Sequence, residues 1–308
     1  MANIEARLRK ELKGAVRRNR AEGILLSGGL DSSILALLSP NIKAFTVFFE
    51  SYGDDRNYVG EVVKHLGLEH HQKEISMSKA MEGIPDVIRI LRTFDPAVPN
   101  DLAIYFAMKL SKEKGVKSLM TGDGGDELFA GYSFMFKLDL NEYIPRIAKT
   151  MHFSSQDIGD AVGLAVKQPY MDEKFVKFAL SVEPDLKVMK KGWRTFGKWI
   201  LRKAYEDSLP KEIIWQGKRP IEKGSGFDRL REVIESKISD GEFKKKSNAY
   251  PVKFINKEHL YYYEIYRKVV GDIPKPVKGE VSCPGCGAGI LKGAFYCRIC
   301  GWTTKDRC

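Results

Sequence analysis

Two aspartates, each placed just after a glycine turn, carry the chemistry this chain could do. The first lies in Leu26–Leu37, LSGGLDSSILAL. An apolar run, Gly23–Leu26, reads as a buried strand of the parallel-sheet kind and breaks into Ser27, Gly28 and Gly29. Asp31, Ser32 and Ser33 follow, and then an apolar run of good helix formers. A strand, a tight turn and a helix start gather backbone N–H groups and hydroxyls around one point. That point also carries the positive end of a helix dipole, so it suits a phosphate. Glycines let the backbone approach an anion without obstruction. Asp31 makes sense beside phosphate if it holds a Mg²⁺ that bridges phosphate oxygens. The plainer alternative is a glycine turn with an Asp/Ser helix cap and no ligand. The spacing is not that of the G-x-x-x-x-G-K-[ST] phosphate loop. The second aspartate, Asp126, sits in Thr121–Tyr132, TGDGGDELFAGY, again after a strand-like run, Ser118–Thr121. Its alternative role is an N-cap for a helix over Glu127–Tyr132.

Elements that would position these residues alternate along the chain. Ile4–Arg18 has helical spacing, with Ile4, Leu8, Leu12 and Val16 on one face and Arg17, Arg18 and Arg20 read as solvated. Ala44–Phe49 reads as a second strand, with helical segments at Tyr58–His65 and Leu102–Lys114. Such alternation predicts an α/β fold, a parallel sheet with helices on both faces. Ligands in that class bind at the carboxyl ends of the strands, which puts both glycine turns on one edge. From Leu138 onward the pattern is mostly helical, through Phe175–Leu180, Trp193–Ala204 and Leu260–Val270. His70 and His71 are adjacent and cannot both face one site on a strand.

A chain of 308 residues with 43% hydrophobic content can bury a sizeable core. No stretch approaches the ~18 apolar residues of a membrane span, and the charged start MANIEARLRKELKG argues against a secretory signal. A cytoplasmic location and no membrane partner are expected. The formal net charge of +11 fits a nucleic-acid partner such as tRNA, and equally a solvated basic surface around an anion pocket.

Asp272–Glu280, DIPKPVKGE, reads as a linker, dividing the chain into a domain over 1–272, a linker over 273–280 and a tail over 281–308. In the tail, Cys283, Cys286, Cys297 and Cys300 form CPGC-x₁₀-CRIC. Two C-x-x-C pairs across a short hairpin supply four thiolates for tetrahedral Zn²⁺. The tail is too short for an apolar core of its own, so metal would supply its folding energy and make it an independent zinc ribbon. Two disulfides or a redox C-x-x-C are the rival readings, disfavoured in the cytosol. Cys308 is left over as a plain terminal residue.

The SGGLDS string resembles the pyrophosphate-binding loop SGGxDS of ATP pyrophosphatases, and within them the synthetase domain of class B asparagine synthetases. TGDGGDELFAGY is similar to that family's SGEGxDExFGGY, and KQPYMD (Lys167–Asp172) to its RxPFLD; HLGLEHH (His65–His71) is a further match. Order and spacing hold from about Ile4 to Glu235. The resemblance implies an adenine nucleotide alpha hydrolase-like fold and an enzyme that cleaves ATP to AMP and pyrophosphate. Such an enzyme adenylates an oxygen that a nitrogen or sulfur nucleophile then displaces. By position it implies that Ser27, Gly28, Gly29, Ser32 and Ser33 hold the phosphates, and that Asp31 and Asp126 hold Mg²⁺ and pyrophosphate. Leu26, Val47 and Gly122 would line the adenosine pocket, with Thr121 in the same nucleotide-binding set. Lys218, in WQGKRP, matches a lysine that stabilises charge developing during adenylation and amide formation. Leu26 and Val47 alone would read as core, and Lys218 alone as an exposed loop lysine.

Departures from that pattern bear on the substrate. Ala2 stands where a glutaminase would show its N-terminal cysteine, so glutamine hydrolysis is not expected and the nitrogen would come as ammonia or from a separate glutaminase subunit. Asp123 replaces a family glutamate at a position linked to amine entry. In Phe94–Ala103, FDPAVPNDLA, Asn100 replaces an arginine, so a clamp for an aspartate carboxylate is missing. Lys218 is followed by Arg219 and Pro220 where the family has a KEQ-like run. ATP chemistry with a small-molecule acceptor is the main expectation. Modification of a tRNA base by the same adenylation is the alternative, weakened by the absence of cysteine before position 283.

Overall fold

The computed structural model describes residues 2–50, 52–53 and 55–303. Five strands, β1 (Gly23–Leu25), β2 (Lys43–Phe49), β3 (His70–Ile75), β4 (Ser118–Met120) and β5 (Ala165–Lys167), form one sheet. Its order is β3-β2-β1-β4-β5, and every pairing is parallel. The chain runs outward from β1 to β3 and then returns to lay β4 on the other side of β1. The point where the winding reverses therefore lies between β1 and β4, where open α/β sheets place their ligands.

The expected two-sided cover is present. On β2, Ala44 and Phe48 enter one core, while Phe45, Val47 and Phe49 enter the other, as the strand's period of two requires. The first core is covered by α1 (Ala2–Arg18), α2 (Leu30–Leu37) and α3 (Asp55–Leu66). The second is covered by α4 (Met77–Leu91) and α5 (Val98–Glu113). After β4 come α6 (Gly125–Leu128), α7 (Leu140–Ala148), α8 (Ser154–Val162) and α9 (Glu173–Leu180). Arg18 keeps an exposed side chain, as expected, but it is also paired. It forms a two-bond pair with Asp172, at 2.8 and 2.5 Å, and Asp172 also caps α9 through the N–H groups of Lys174 and Phe175. That pair holds the Asp172 carboxyl below its ordinary range.

The helix expected over Trp193–Ala204 begins only at Trp199. Before it, β6 (Met189–Lys191) and β7 (Arg194–Phe196) form an antiparallel hairpin, and Lys198 adopts a left-handed φ of 55° that breaks any helix there. His70 and His71 lie on the edge strand β3 and away from the cavity described below. His70 bonds Thr46 at 3.1 Å, and His71 stacks on Phe45.

The tail is docked on the domain. Its strands β8 (Glu280–Ser282) and β9 (Gly289–Leu291) pair antiparallel, and its four cysteines are buried in the same core as α4, α5 and the helix Lys257–Val269. That helix also holds His259, whose Nδ1 accepts from the Ile255 N–H at 3.3 Å. Burial pushes this imidazole down to about 4 from its usual 6.5. A lowered folded-state value means the neutral ring stabilises the fold fully above pH 6.5, with the contribution lost as pH falls toward 4. Urea melts at pH 7 and pH 4 are expected to show a loss about 3 kcal/mol larger than in His259→Gln. Equal losses in the two proteins would mean that the ring is hydrated in solution.

Candidate active site

Both glycine turns end at the carboxyl edge of the sheet, one on each side of the winding reversal, and face one cavity of about 390 Å³. The glycines after β4 make room for carboxylates. A Cβ on Gly125 would lie 2.6 Å from the Asp31 Cγ, and one on Gly131 would lie 1.8 Å from Asp126 Oδ1. Gly28 is glycine for another reason. Its φ is 68°, and a Cβ there would meet the α3 backbone at Val59 N, 2.8 Å away. Of the expected phosphate set, Ser27, Gly29, Asp31 and Ser32 line the cavity, whereas Gly28 and Ser33 do not. The Ser33 hydroxyl is spent on the Gly29 carbonyl at 2.7 Å, inside α2. Leu26, Val47, Thr121, Gly122, Asp123, Asp126 and Lys218 all line the cavity.

Sequence reasoning missed the group at the centre. Lys198 Nζ lies 2.6 Å from Asp31 Oδ2 and 2.6 Å from Asp126 Oδ1, while Lys218 Nζ lies 2.8 Å from Asp126 Oδ2. Two carboxylates and two ammonium groups thus form one buried cluster. Burial pushes Asp126 up, but the two lysines overcome it and hold its carboxyl at about 2. On Asp31 burial prevails, and its carboxyl rises. Asp126 is the second residue of α6, not its cap, which is Gly124. Asp31 Oδ1 and Asp126 Oδ1 are buried oxygens without a hydrogen-bond partner of proper geometry. Two such oxygens, each beside a glycine turn, fit a Mg²⁺ ion.

The lysines are themselves held. The Lys198 N–H donates to the Phe129 carbonyl at 2.8 Å. Arg202, also missed, donates from Nε to the Gly197 carbonyl at 2.9 Å and from Nη1 to the Gln216 carbonyl at 3.1 Å, and it bonds the Ile214 carbonyl as well. Gln216 Nε2 in turn donates to the Gly28 carbonyl at 2.8 Å, tying the Lys218 loop to the first glycine turn. Phe196, Trp199 and Trp215 pack together beneath the hairpin, with centroids 5.4 to 6.3 Å apart. The only advance signal for Lys198 was a lone cation in an otherwise apolar stretch, FGKWIL.

Elsewhere in the cavity lining, Asp123 Oδ2 accepts from Thr121 Oγ1 at 2.6 Å, from Gln168 Nε2 at 3.0 Å and from Ser155 Oγ. Asn100 lines the same side, next to Asp101, which accepts from Ser154 Oγ at 2.6 Å. Burial pushes the Asp101 carboxyl up to about 7.

In the tail, the Cys283, Cys286, Cys297 and Cys300 sulfurs all lie within 4.8 Å of one another and are free thiols. The Cys283–Cys300 and Cys286–Cys297 separations are 3.7 and 3.9 Å. A tetrahedron with Zn–S bonds near 2.3 Å has edges of about 3.8 Å, so the four thiols fit a zinc ion. Cys308 lies outside the described residues.

Residues 3–156 and 146–270 match the asparagine synthase family. The chain belongs to that family. Asparagine synthetase [glutamine-hydrolyzing] 2 of Lotus japonicus is 29% identical over 297 residues, covering 87% of this chain and 50% of the relative. A probable asparagine synthetase [glutamine-hydrolyzing] of Dictyostelium discoideum is 30% identical over 267 residues, covering 74% of this chain and 48% of the relative. The chain thus spans about half the length of the curated relatives it matches. Two solved structures show a loose likeness. An NMN synthetase from Francisella tularensis has a TM-score of 0.38 at 10% identity, covering 90% of this chain and 98% of that one. A U34-tRNA thiolase from Methanococcus maripaludis has a TM-score of 0.37 at 15% identity, covering 97% of this chain and 89% of that one. Among the described residues of this asparagine synthase-family chain, no helix is long and apolar enough to cross a membrane.

Proposed function

We propose that this chain is an ATP-dependent, AMP-forming carbon–nitrogen ligase. An acceptor carboxylate or amide oxygen attacks the α-phosphorus of ATP, the bond to the β-phosphate oxygen breaks, and pyrophosphate leaves. Ammonia, free or delivered by a separate glutaminase subunit, then adds at the activated carbon and expels AMP. The observation that carries this reading is the convergence of the two glycine turns on one cavity, with Lys198 and Lys218 on their aspartates. Ser27, Gly29 and Ser32 would bind phosphate, and Leu26, Val47, Thr121 and Gly122 the nucleoside side of the cavity. Lys198, fixed and shielded from water, and Lys218, half-buried beside it, would stabilise charge as it develops on phosphate oxygens. Asp123, oriented by three donors, would take a proton from the incoming amine. When bound, Mg²⁺ would be held by Asp31 and Asp126 and would neutralise the departing pyrophosphate.

A ribbon zinc on Cys283, Cys286, Cys297 and Cys300 belongs to the same proposal, as does the reducing cytoplasm that keeps such thiols available. Metal analysis of the purified chain is expected to give one zinc per chain. In Cys297→Ser that zinc should be lost, and full retention would show that the ion is held elsewhere.

A second reading, in which the acceptor is a tRNA base, is favoured by the β6–β7 hairpin. Trp193 at its tip is 93% exposed and is flanked by Lys190, Lys191 and Arg194. The Arg194 side chain also approaches Gly217 in the Lys218 loop at the mouth of the cavity. An exposed aromatic among cations is a stacking platform for an unpaired base. The deciding experiment measures AMP and pyrophosphate release from ATP, first with aspartate plus ammonium and then with bulk tRNA. Release with aspartate that is unaffected by Trp193→Ala supports the amide-ligase reading. Release only with tRNA, lost in Trp193→Ala, supports the second reading. Formation of ADP in place of AMP would overturn both.

A further inference from the structure

We propose that the metal-bound ribbon is a clamp on the acceptor wall of the cavity. This rests on reading the part of the cavity lined by Asn100, Asp123, Ser154 and Ser155 as the acceptor's side. Two chain segments build that wall. One is the α4–α5 connection, which sets the start of α5 and so places Asn100. The other is the α7–α8 connection, which leads into Ser154 and Ser155.

The ribbon grips both from outside, and it does so with its second metal knuckle, residues 297–300. The Ile299 carbonyl accepts from the Phe94 N–H at 2.8 Å and from Thr93 Oγ1 at 3.2 Å. Arg298 Nη2 donates to the Thr150 carbonyl at 3.1 Å, and Arg146 of α7 bonds the Gly293 carbonyl. Tyr296, directly before Cys297, donates its hydroxyl to Asp95 Oδ2. Asp95 Oδ1 meanwhile accepts from the Ala97 N–H at 2.8 Å, at the entry to α5. From there the chain of contacts runs inward, through Asp101 to Ser154 and through Ser155 and Gln168 to Asp123.

Each outer contact comes from the knuckle, from the residue before it, or from the turn after β9. No apolar side chain of the knuckle besides its cysteines is fully buried: Ala294, Phe295, Ile299 and Trp302 are only partly buried against the domain, and Ala288 and Ile290 lie outside it. Its shape therefore depends on the four-thiolate centre. Metal loss would free the knuckle and let both connections open locally. The phosphate turn is anchored differently, by Gln216 and by α3 packed against Gly28, and has no contact with the ribbon among the bonds described.

Hydrogen exchange followed by mass spectrometry tests this on the full chain, with zinc in place and after removal by a thiol-reactive mercurial and a chelator. Amides over 94–104 and 150–156 should exchange about ten-fold faster or more after removal, with those over 24–37 and 43–49 within about two-fold. Tyr296→Phe, which keeps its zinc, should accelerate 94–104 alone. Asp95→Asn, which keeps both hydrogen-bonding positions, should behave as the parent chain does. The dissociation constant for MgATP should change less than about three-fold throughout, because its side of the cavity is untouched. Unchanged exchange at 94–104 in both the stripped protein and Tyr296→Phe would overturn the proposal, as would uniform acceleration that includes 24–37. None of these readouts needs turnover, so an absence of AMP formation would sink the ligase reading without touching the clamp.

Discussion

Asp126→Asn is expected to lower ATP–pyrophosphate exchange by about 10³-fold while leaving the melting temperature within a few degrees of the parent. The substitution keeps shape and removes one of two buried negative charges that face two ammonium groups. Lys218 has the freedom to turn toward the cavity, since its side chain is 33% exposed, so the fold tolerates the change. Lys198→Met should differ in kind. Its side chain is 6% exposed and serves both carboxylates, so its loss leaves Asp31 and Asp126 buried against each other. That variant should lose exchange and also about 3–5 kcal/mol of stability, the usual cost of removing one partner from a buried ion cluster. Adding Asp126→Asn to Lys198→Met should restore part of the stability and none of the exchange. Exchange at the parent rate in Asp126→Asn would remove the phosphate-side role from this cluster.

Such a cluster was half legible in the sequence, and the reasons are physical. Asp31 and Asp126 follow glycine turns that follow strand-like runs, and that order alone sends both to one sheet edge. Lys198 carries no such local sign. It is placed by a left-handed residue conformation and a tertiary bond to Phe129, neither of which spacing reveals. The second strand of the hairpin before it, Arg194–Phe196, lies inside the stretch whose apolar spacing predicts a helix over Trp193–Ala204, because a three-residue strand is too short to show a period of its own. Strand β3, HHQKEI, hides from hydrophobic periodicity because it is a polar edge strand. Cysteine spacing announced the four-thiol centre, but only tertiary contacts show that its second knuckle grips Phe94 and Thr93. The partner of the exposed Arg18 could not be read from spacing, because Asp172 is 154 residues away.

Arg202 offers the sharpest separation of positioning from charge. Its guanidinium is buried and reaches the carbonyls of Gly197, Ile214 and Gln216, so one planar group ties the residue before Lys198 to the loop that carries Lys218. A lysine keeps the positive charge but offers a single compact ammonium that cannot span carbonyls on two segments. Arg202→Met should cost about 3 kcal/mol or more, because buried carbonyls lose a charged donor and gain nothing. Arg202→Lys should recover part of that stability in urea melts. Exchange should not recover with it. With the Lys218 loop free to shift by about 1 Å against the first glycine turn, ATP–pyrophosphate exchange should fall about 10²-fold. MgATP binding should remain, since α3 still backs Gly28 when Gln216 shifts and the apolar slot around Leu26 and Val47 keeps its own supports. A charge-only role predicts the opposite pattern, with Arg202→Lys exchanging at the parent rate. Measuring exchange and MgATP affinity side by side in the two variants separates these outcomes, and full exchange in Arg202→Lys would rule out the positioning role.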